Sequence, residues 1–222
     1  MRRFFACAVV LGAIGGCSSF KEAGVADAGP ATDPDGGADV VSDAAPPDAA
    51  RPDADASIVD GIPPGGKLVF VSTTLSHPPV FSGNFVAYAD GVCKSEASDA
   101  KRPGEYVAWL ATPTQNAFNR LTSSKSWYLR TGVKVGDLAN FGYGALFAPI
   151  DADAAGIHQT GANHVVWTGS MIGGAAASDT CMNWTQDLGT GMAGDYTQAG
   201  TTWGTNASLA CNQTARFYCF ER

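Results

Sequence analysis

Histidine is scarce in this chain, with three in 222 residues. The usual signatures of a catalytic centre are missing as well. There is no Cys-x-x-Cys pair, Gly-x-Ser-x-Gly elbow, phosphate-binding glycine loop or His-Glu-x-x-His motif, which removes the sequence basis for zinc-cluster, serine-hydrolase, nucleotide-binding and zinc-peptidase chemistry. Charged residues make up 16 % of the chain and form no basic patch, basic helix or arginine-rich run, so nothing points to nucleic acid. Beyond the first sixteen residues no apolar stretch is long enough to cross a bilayer. His158 and His164, with Asp151 or Asp153, are the nearest thing to a metal set, but separated histidines are the ordinary state of surface and packed residues. His77 precedes Pro78-Pro79 in a turn. The expectation is a non-catalytic protein with no metal and no cofactor.

What is present begins at the N-terminus. Arg2 and Arg3 form a positive start, residues 4–14 are apolar, and Ile14-Gly15-Gly16-Cys17 closes the run. This order reads as a secretory signal peptide over 1–16. Its end resembles the lipobox of bacterial lipoproteins, which implies that Cys17 becomes the first mature residue and carries lipid. Several acyl chains on one cysteine would hold the protein firmly to a membrane. Ser18 stands where aspartate would favour retention at the inner membrane, so the outer membrane or cell surface is the expected location.

Residues 17–64 read as the lipidated cysteine followed by a linker rich in Asp, Ala and Pro. After Cys17 this stretch carries Lys21 and Arg51 against Glu22 and nine aspartates, net −8. It has too little apolar surface to offset the entropy of ordering and is expected to be disordered. Proline and like charge extend such a chain, to a reach on the order of 150 Å at ~3.3 Å per residue. Residues 65–222 hold ten basic against eleven acidic side chains, net −1. The acidic pI of about 4.8 therefore describes the linker more than the rest.

Residues 65–222 are long enough for one domain with a real core. Phe85, Tyr88, Ala89, Val92, Cys93 and Ala97 recur at helical spacing, with Asp90, Lys94 and Asp99 elsewhere on the wheel. Ser82 or Asn84 would cap this helix, and a second, shorter one is expected over 115–121. Strands are expected over 67–73, 106–111, 127–130, 164–168 and 216–221. The stretch between Cys181 and Cys211 has no consistent period and reads as mostly loop, with Trp184, Tyr196 and Trp203 scattered through it. Trp167 and Trp184 suit a core. Trp203, in polar surroundings, is the expected exposed aromatic; with Tyr196 and Asp195 it makes the candidate ligand-binding set.

Setting aside Cys7 and Cys17 leaves Cys93, Cys181, Cys211 and Cys219, which read as two disulfides in an exported domain. Four cysteines allow three connectivities, and spacing does not choose among them.

The helix ending Val92-Cys93, the strand Val165-Val166-Trp167-Thr168-Gly169, the segment Cys181-Met182-Asn183-Trp184 and the ending Phe217-Tyr218-Cys219-Phe220-Glu221 occur in that order. Together they resemble a bacterial endostatin-like family of unknown function, related to the C-type-lectin-like fold. The resemblance covers about residues 67–222. It implies an α+β domain of short antiparallel strands, one or two helices and long loops, with its first and last strands paired. It also implies the disulfides Cys93–Cys219 and Cys181–Cys211. Glu-Pro-Asn and Gln-Pro-Asp triplets, through which some C-type lectins hold sugar by calcium, are absent, and Asn206-Ala207-Ser208-Leu209-Ala210 precedes Cys211. Asp179, Asp187 and Asp195 remain as loop acids that a calcium ion would have to gather. Surface proteins of the resembling family attach to host components, so adhesion to a matrix protein, a polysaccharide or another cell surface is the implied function. A structural envelope protein without a soluble ligand, or an enzyme with a cryptic site, are the alternatives.

Overall fold

Leu68 and Phe70 face one side of the first strand and Val69 and Val71 the other, and all four are fully buried. A strand apolar on both faces belongs inside a layered domain rather than on its surface. The computed structural model describes residues 60–78, 84–122 and 124–222. The signal segment, Cys17, residues 18–59 of the linker and Ser82 lie outside the described residues.

Five strands form one sheet: β1 (Lys67–Val71), β2 (Tyr106–Ala108), β3 (Trp127–Tyr128), β4 (Lys134–Gly136) and β8 (Tyr218–Glu221), in the order β2-β8-β1-β3-β4. The first and last strands pair antiparallel, with Phe70 opposite Cys219. The β1–β3 pairing is parallel, a departure from the wholly antiparallel expectation, because β3 arrives after a crossover that runs through α1 and β2. A second sheet holds β5 (Val165–Trp167), β6 (Thr190–Asp195) and β7 (Ala207–Ala210), all antiparallel. The two sheets meet where Trp167 N donates to Arg216 O at 3.0 Å and Arg216 N to Val165 O at 3.1 Å.

Helix α1 (Phe85–Asp99) buries Phe85, Ala89, Cys93 and Ala97 on one stripe, and Asn84 caps it by accepting from Val86 N and Ala87 N. Asn84 is thus the cap, of the two that the sequence offered. The stripe lies on the sheet face carrying Leu68, Phe70, Tyr106, Ala108, Phe217 and Cys219, and Cys93 is bonded there to Cys219. On the opposite side Val69, Val71, Trp109, Trp127, Tyr218 and Phe220 form a second cluster, against which Phe141 packs. Among the described residues there are three α-helices, two sheets and two disulfides, Cys93–Cys219 and Cys181–Cys211. The domain is α+β.

Several elements differ from the sequence reading, β4 (Lys134–Gly136) among them, which lies outside every expected strand. The helix expected over 115–121 is a single 3₁₀ turn, Phe118–Arg120, because the Arg120 side chain turns inward to Ala108 O and Asp90. Helix α2 (Leu138–Tyr143) was not anticipated, though its signals are local: Asp137 and Asn140 form a capping box and Gly144 closes it at φ 72. Strands β6 and β7 occupy the stretch read as loop. Their residues are mostly small, Gly191, Ala193 and Gly194 in β6, and small residues carry little strand propensity.

Candidate functional site

Four consecutive non-glycine residues, Cys181, Met182, Asn183 and Trp184, have φ between 50 and 62. They make one left-handed helical turn, α3 (Cys181–Trp184). Left-handed helix costs an L-residue roughly 1–2 kcal/mol, and only glycine, with Asn and Asp occasionally, adopts it routinely. A run of four persists only where the surroundings determine it, and such strain concentrates at functional sites.

Those surroundings are specific. Cys181 is tied to Cys211. The buried indole of Trp184 donates from Nε1 to Ala111 O at 2.7 Å and packs on Phe85 at 5.7 Å and Trp167 at 5.7 Å. Trp184 N donates to Thr180 O and Thr185 N to Cys181 O, while Thr180 Oγ1 accepts from Asn183 N. Two glycines leave the necessary room: a Cβ on Gly169 would lie 2.5 Å from the Trp184 ring, and one on Gly191 2.7 Å from Cys181 Sγ. The outcome is a rigid knuckle with Cys181 and Trp184 buried at its two ends and Met182, 67 % exposed, and Asn183 on the outside.

Two clefts flank this knuckle. One, about 400 Å³, lies between α3, the start of α1 and residues 112–115, and is lined by Asn84, Thr112, Thr114, Gln115, Asn183 and Thr185 with Phe85, Val86 and Trp184. The other, about 520 Å³, is walled by Pro113, Met182, Leu188 and Thr190 with Asp179 at its edge. Leu188 is 72 % exposed. Hydrogen bonds, from Ser208 foremost and also from Ser178 and Thr190, hold the Asp179 carboxyl below the usual carboxylate range against the opposing effect of burial. Asn183 borders both clefts.

The aromatic residues picked from sequence lie elsewhere, and their expected role as an exposed surface is corrected. Trp203 is 2 % exposed, packed 5.0 Å from Trp109, 5.4 Å from Tyr218 and 5.9 Å from Phe141. A 3₁₀ turn, Thr201–Trp203, drives it inward, and a Cβ on Gly194 would collide with its carbonyl oxygen. Its polar neighbours misled because one buried residue in a short turn leaves no periodic trace. Tyr196 is also buried, beside the His164 ring at 5.4 Å and the Arg216 guanidinium at 5.8 Å. Its hydroxyl has no hydrogen-bond partner among the described residues, and burial raises its pKa. Asp195 Oδ1 accepts from Thr197 N and Oγ1 in a local turn.

His158 Nδ1 lies 3.0 Å from Asp151, but His164 sits on Tyr196 and Asp153 accepts from Ala155 N, Ile157 N and Gln159 Nε2. Among the described residues no three His, Cys, Asp or Glu side chains gather as metal ligands, so Asp179, Asp187 and Asp195 are not brought together. No described helix is long and apolar enough to cross a membrane.

Sequence reasoning missed the knuckle itself. The Cys-Met-Asn-Trp segment was noted, but its handedness depends on Gly169 and Gly191, both distant or unremarkable in sequence. It also missed a buried pair: Asp90 accepts from Ala108 N at 2.8 Å and binds Arg120 Nη2 at 2.5 Å, while Arg120 Nη1 donates to Ala108 O at 2.7 Å. Glu221, last of the terminal motif, accepts from Leu68 N and is paired with Arg102 and Lys67. That carboxylate ties the last strand to the first. Compared with known proteins, the chain matches no family model and no curated protein.

Proposed function

We propose that this is a bacterial lipoprotein, anchored through lipid on Cys17 and displayed at the outer membrane or cell surface, whose folded domain binds a macromolecular ligand and performs no catalysis. In this reading the domain is C-type-lectin-like and of the endostatin-like kind. The pairing of its first and last strands and its two disulfides support that kinship. The acidic linker carries the domain away from the membrane, and the ligand is a matrix protein, a polysaccharide or another cell's surface.

The single observation that carries the binding reading is the α3 knuckle. A strained left-handed turn, pinned by a disulfide and a buried tryptophan, presents Met182 to solvent, and with the nearby exposed Leu188 it walls the larger of the two clefts. Exposed apolar side chains on a rigid support favour binding, because little freedom is lost when a partner covers them. The test is a binding screen of the intact chain against immobilised fibronectin, laminin, collagen and polysaccharides, beside Met182→Asp and Leu188→Asp. Aspartate is compatible with left-handed backbone, so Met182→Asp should fold. Saturable binding by the parent that either variant reduces supports the reading; no binding to any probe overturns it. Separately, Cys17→Ser should move the protein from the detergent phase to the aqueous phase, and continued detergent partition would overturn the lipid anchor.

A further inference from the structure

The two clefts beside α3 differ in chemistry, and the smaller one has an uncharged lining. Asn84, Thr112, Thr114, Gln115, Asn183 and Thr185 supply its polar lining, and none of its nine lining residues is charged. The start of α1, which would otherwise attract an anion, is already answered: Asn84 Oδ1 accepts from Val86 N at 3.0 Å and Ala87 N at 3.3 Å. Within the described residues the side chains of Asn183 and Gln115 make no hydrogen bond, so both carboxamides are available to a ligand. At about 400 Å³ the cleft falls in the size range of small-ligand sites.

Hydroxyls and carboxamides both donate and accept. Their natural complement is a ligand whose own groups do the same without net charge. A sugar ring meets that description, with hydroxyls around its rim and C–H groups for the apolar floor of Phe85, Val86 and Trp184. A peptide adding to a sheet needs an open strand edge, and this cleft is bordered by a helix start and turns. We infer that this cleft binds a neutral saccharide unit of a larger glycan, with Asn183, Gln115 and Thr114 forming the hydrogen-bonding set. The backbone of α3 fixes Asn183 before the ligand arrives, which lowers the ordering cost of binding. This inference rests on the reading that the α3 face is the binding face, and it names the ligand class there.

The test uses the intact chain on an array of dextran, mannan, cellohexaose and chitohexaose with heparin and polysialic acid, in chelator, beside immobilised fibronectin and laminin. At least one neutral glycan should bind and neither acidic one should. Asn183→Asp keeps the shape and the left-handed backbone but exchanges a donor for a charge, and should weaken that binding about tenfold. Thr114→Arg, which places a long cation in the cleft, should abolish it. Both variants are first shown to be folded by near-UV circular dichroism and to lack free thiols. Binding restricted to acidic glycans, or neutral-glycan binding unchanged in both variants, overturns the inference. If only the matrix proteins bind, and Met182→Asp reduces that, the saccharide assignment fails while the binding face stands. If no probe binds, both fail.

Discussion

Gly191 and Cys181 approach so closely that a Cβ on the glycine would lie 2.7 Å from the cysteine sulfur. Gly191 belongs to β6 and also donates its place to the Trp167 ring, 2.9 Å from the same imagined atom. One missing side chain therefore lets the second sheet, a disulfide and the left-handed turn share a small space.

Gly191→Ala should therefore destabilise the domain by ~1–3 kcal/mol, the usual range for overpacking, and should slow closure of Cys181–Cys211. Urea unfolding with free-thiol titration measures both effects. Wild-type stability with fully formed disulfides would show that the knuckle tolerates crowding.

Trp203→Ala should behave as a core truncation, costing ~3–5 kcal/mol, since the indole packs against Trp109, Tyr218 and Phe141. Equilibrium urea unfolding decides it. A variant of parental stability would return Trp203 to the surface, where the local sequence alone would put it.

Asp90→Ala leaves the Arg120 guanidinium, 8 % exposed, without its carboxylate. Breaking a buried pair from one side costs roughly 3–5 kcal/mol, and the partial exposure of Asp90 (23 % of its side chain) places the effect at the lower end, about 3 kcal/mol. The double replacement Asp90→Leu with Arg120→Met should be milder than Asp90→Ala alone. Equal or greater loss in the double variant would mean that the hydrogen bonds to Ala108, rather than the unpaired charge, dominate.

The domain should also lose stability in alkali through its buried phenols. Burial first, and then the nearby Glu221, pushes Tyr106 up to about 12, with Arg102 acting in the opposite direction. Tyr218 is raised well above its ordinary value by burial. A pKa raised on folding means that the folded state favours the protonated phenol. Its contribution is complete below pH 10, the unfolded value, and is lost as the pH climbs toward about 12. Urea midpoints across that window should fall for the parent and fall less for Tyr106→Phe; parallel declines would remove Tyr106 from the account.

The segments most legible from sequence were those with a period. Helix α1 announced itself by Phe85, Ala89, Cys93 and Ala97; for its cap the sequence offered Ser82 or Asn84, and the structure uses Asn84. Strands β1, β2, β3, β5 and β8 lay within the apolar runs that marked them. The disulfide pairing is different: composition and spacing left three connectivities open, and the endostatin-like resemblance supplied the pairs that the structure contains. Where side chains are small, as in β6, or where a single residue turns inward, as at Trp203, no periodicity exists to read.

By itself the sequence determined the composition break near residue 64, the amphipathic helix and the apolar runs that became β1 and β8, because each depends on neighbours along the chain. Only the tertiary structure decided the handedness of α3, the burial of Trp203 and Tyr196, and the Asp90–Arg120 pair. These depend on atoms brought together from different elements, with no sequence period to mark the meeting: Gly191 against Cys181, Gly194 against Trp203, and Ala108 between Asp90 and Arg120. The smaller cleft beside α3 belongs to the second group, since residues 84–86, 112–115 and 183–185 meet only when the sheets and the disulfides have closed.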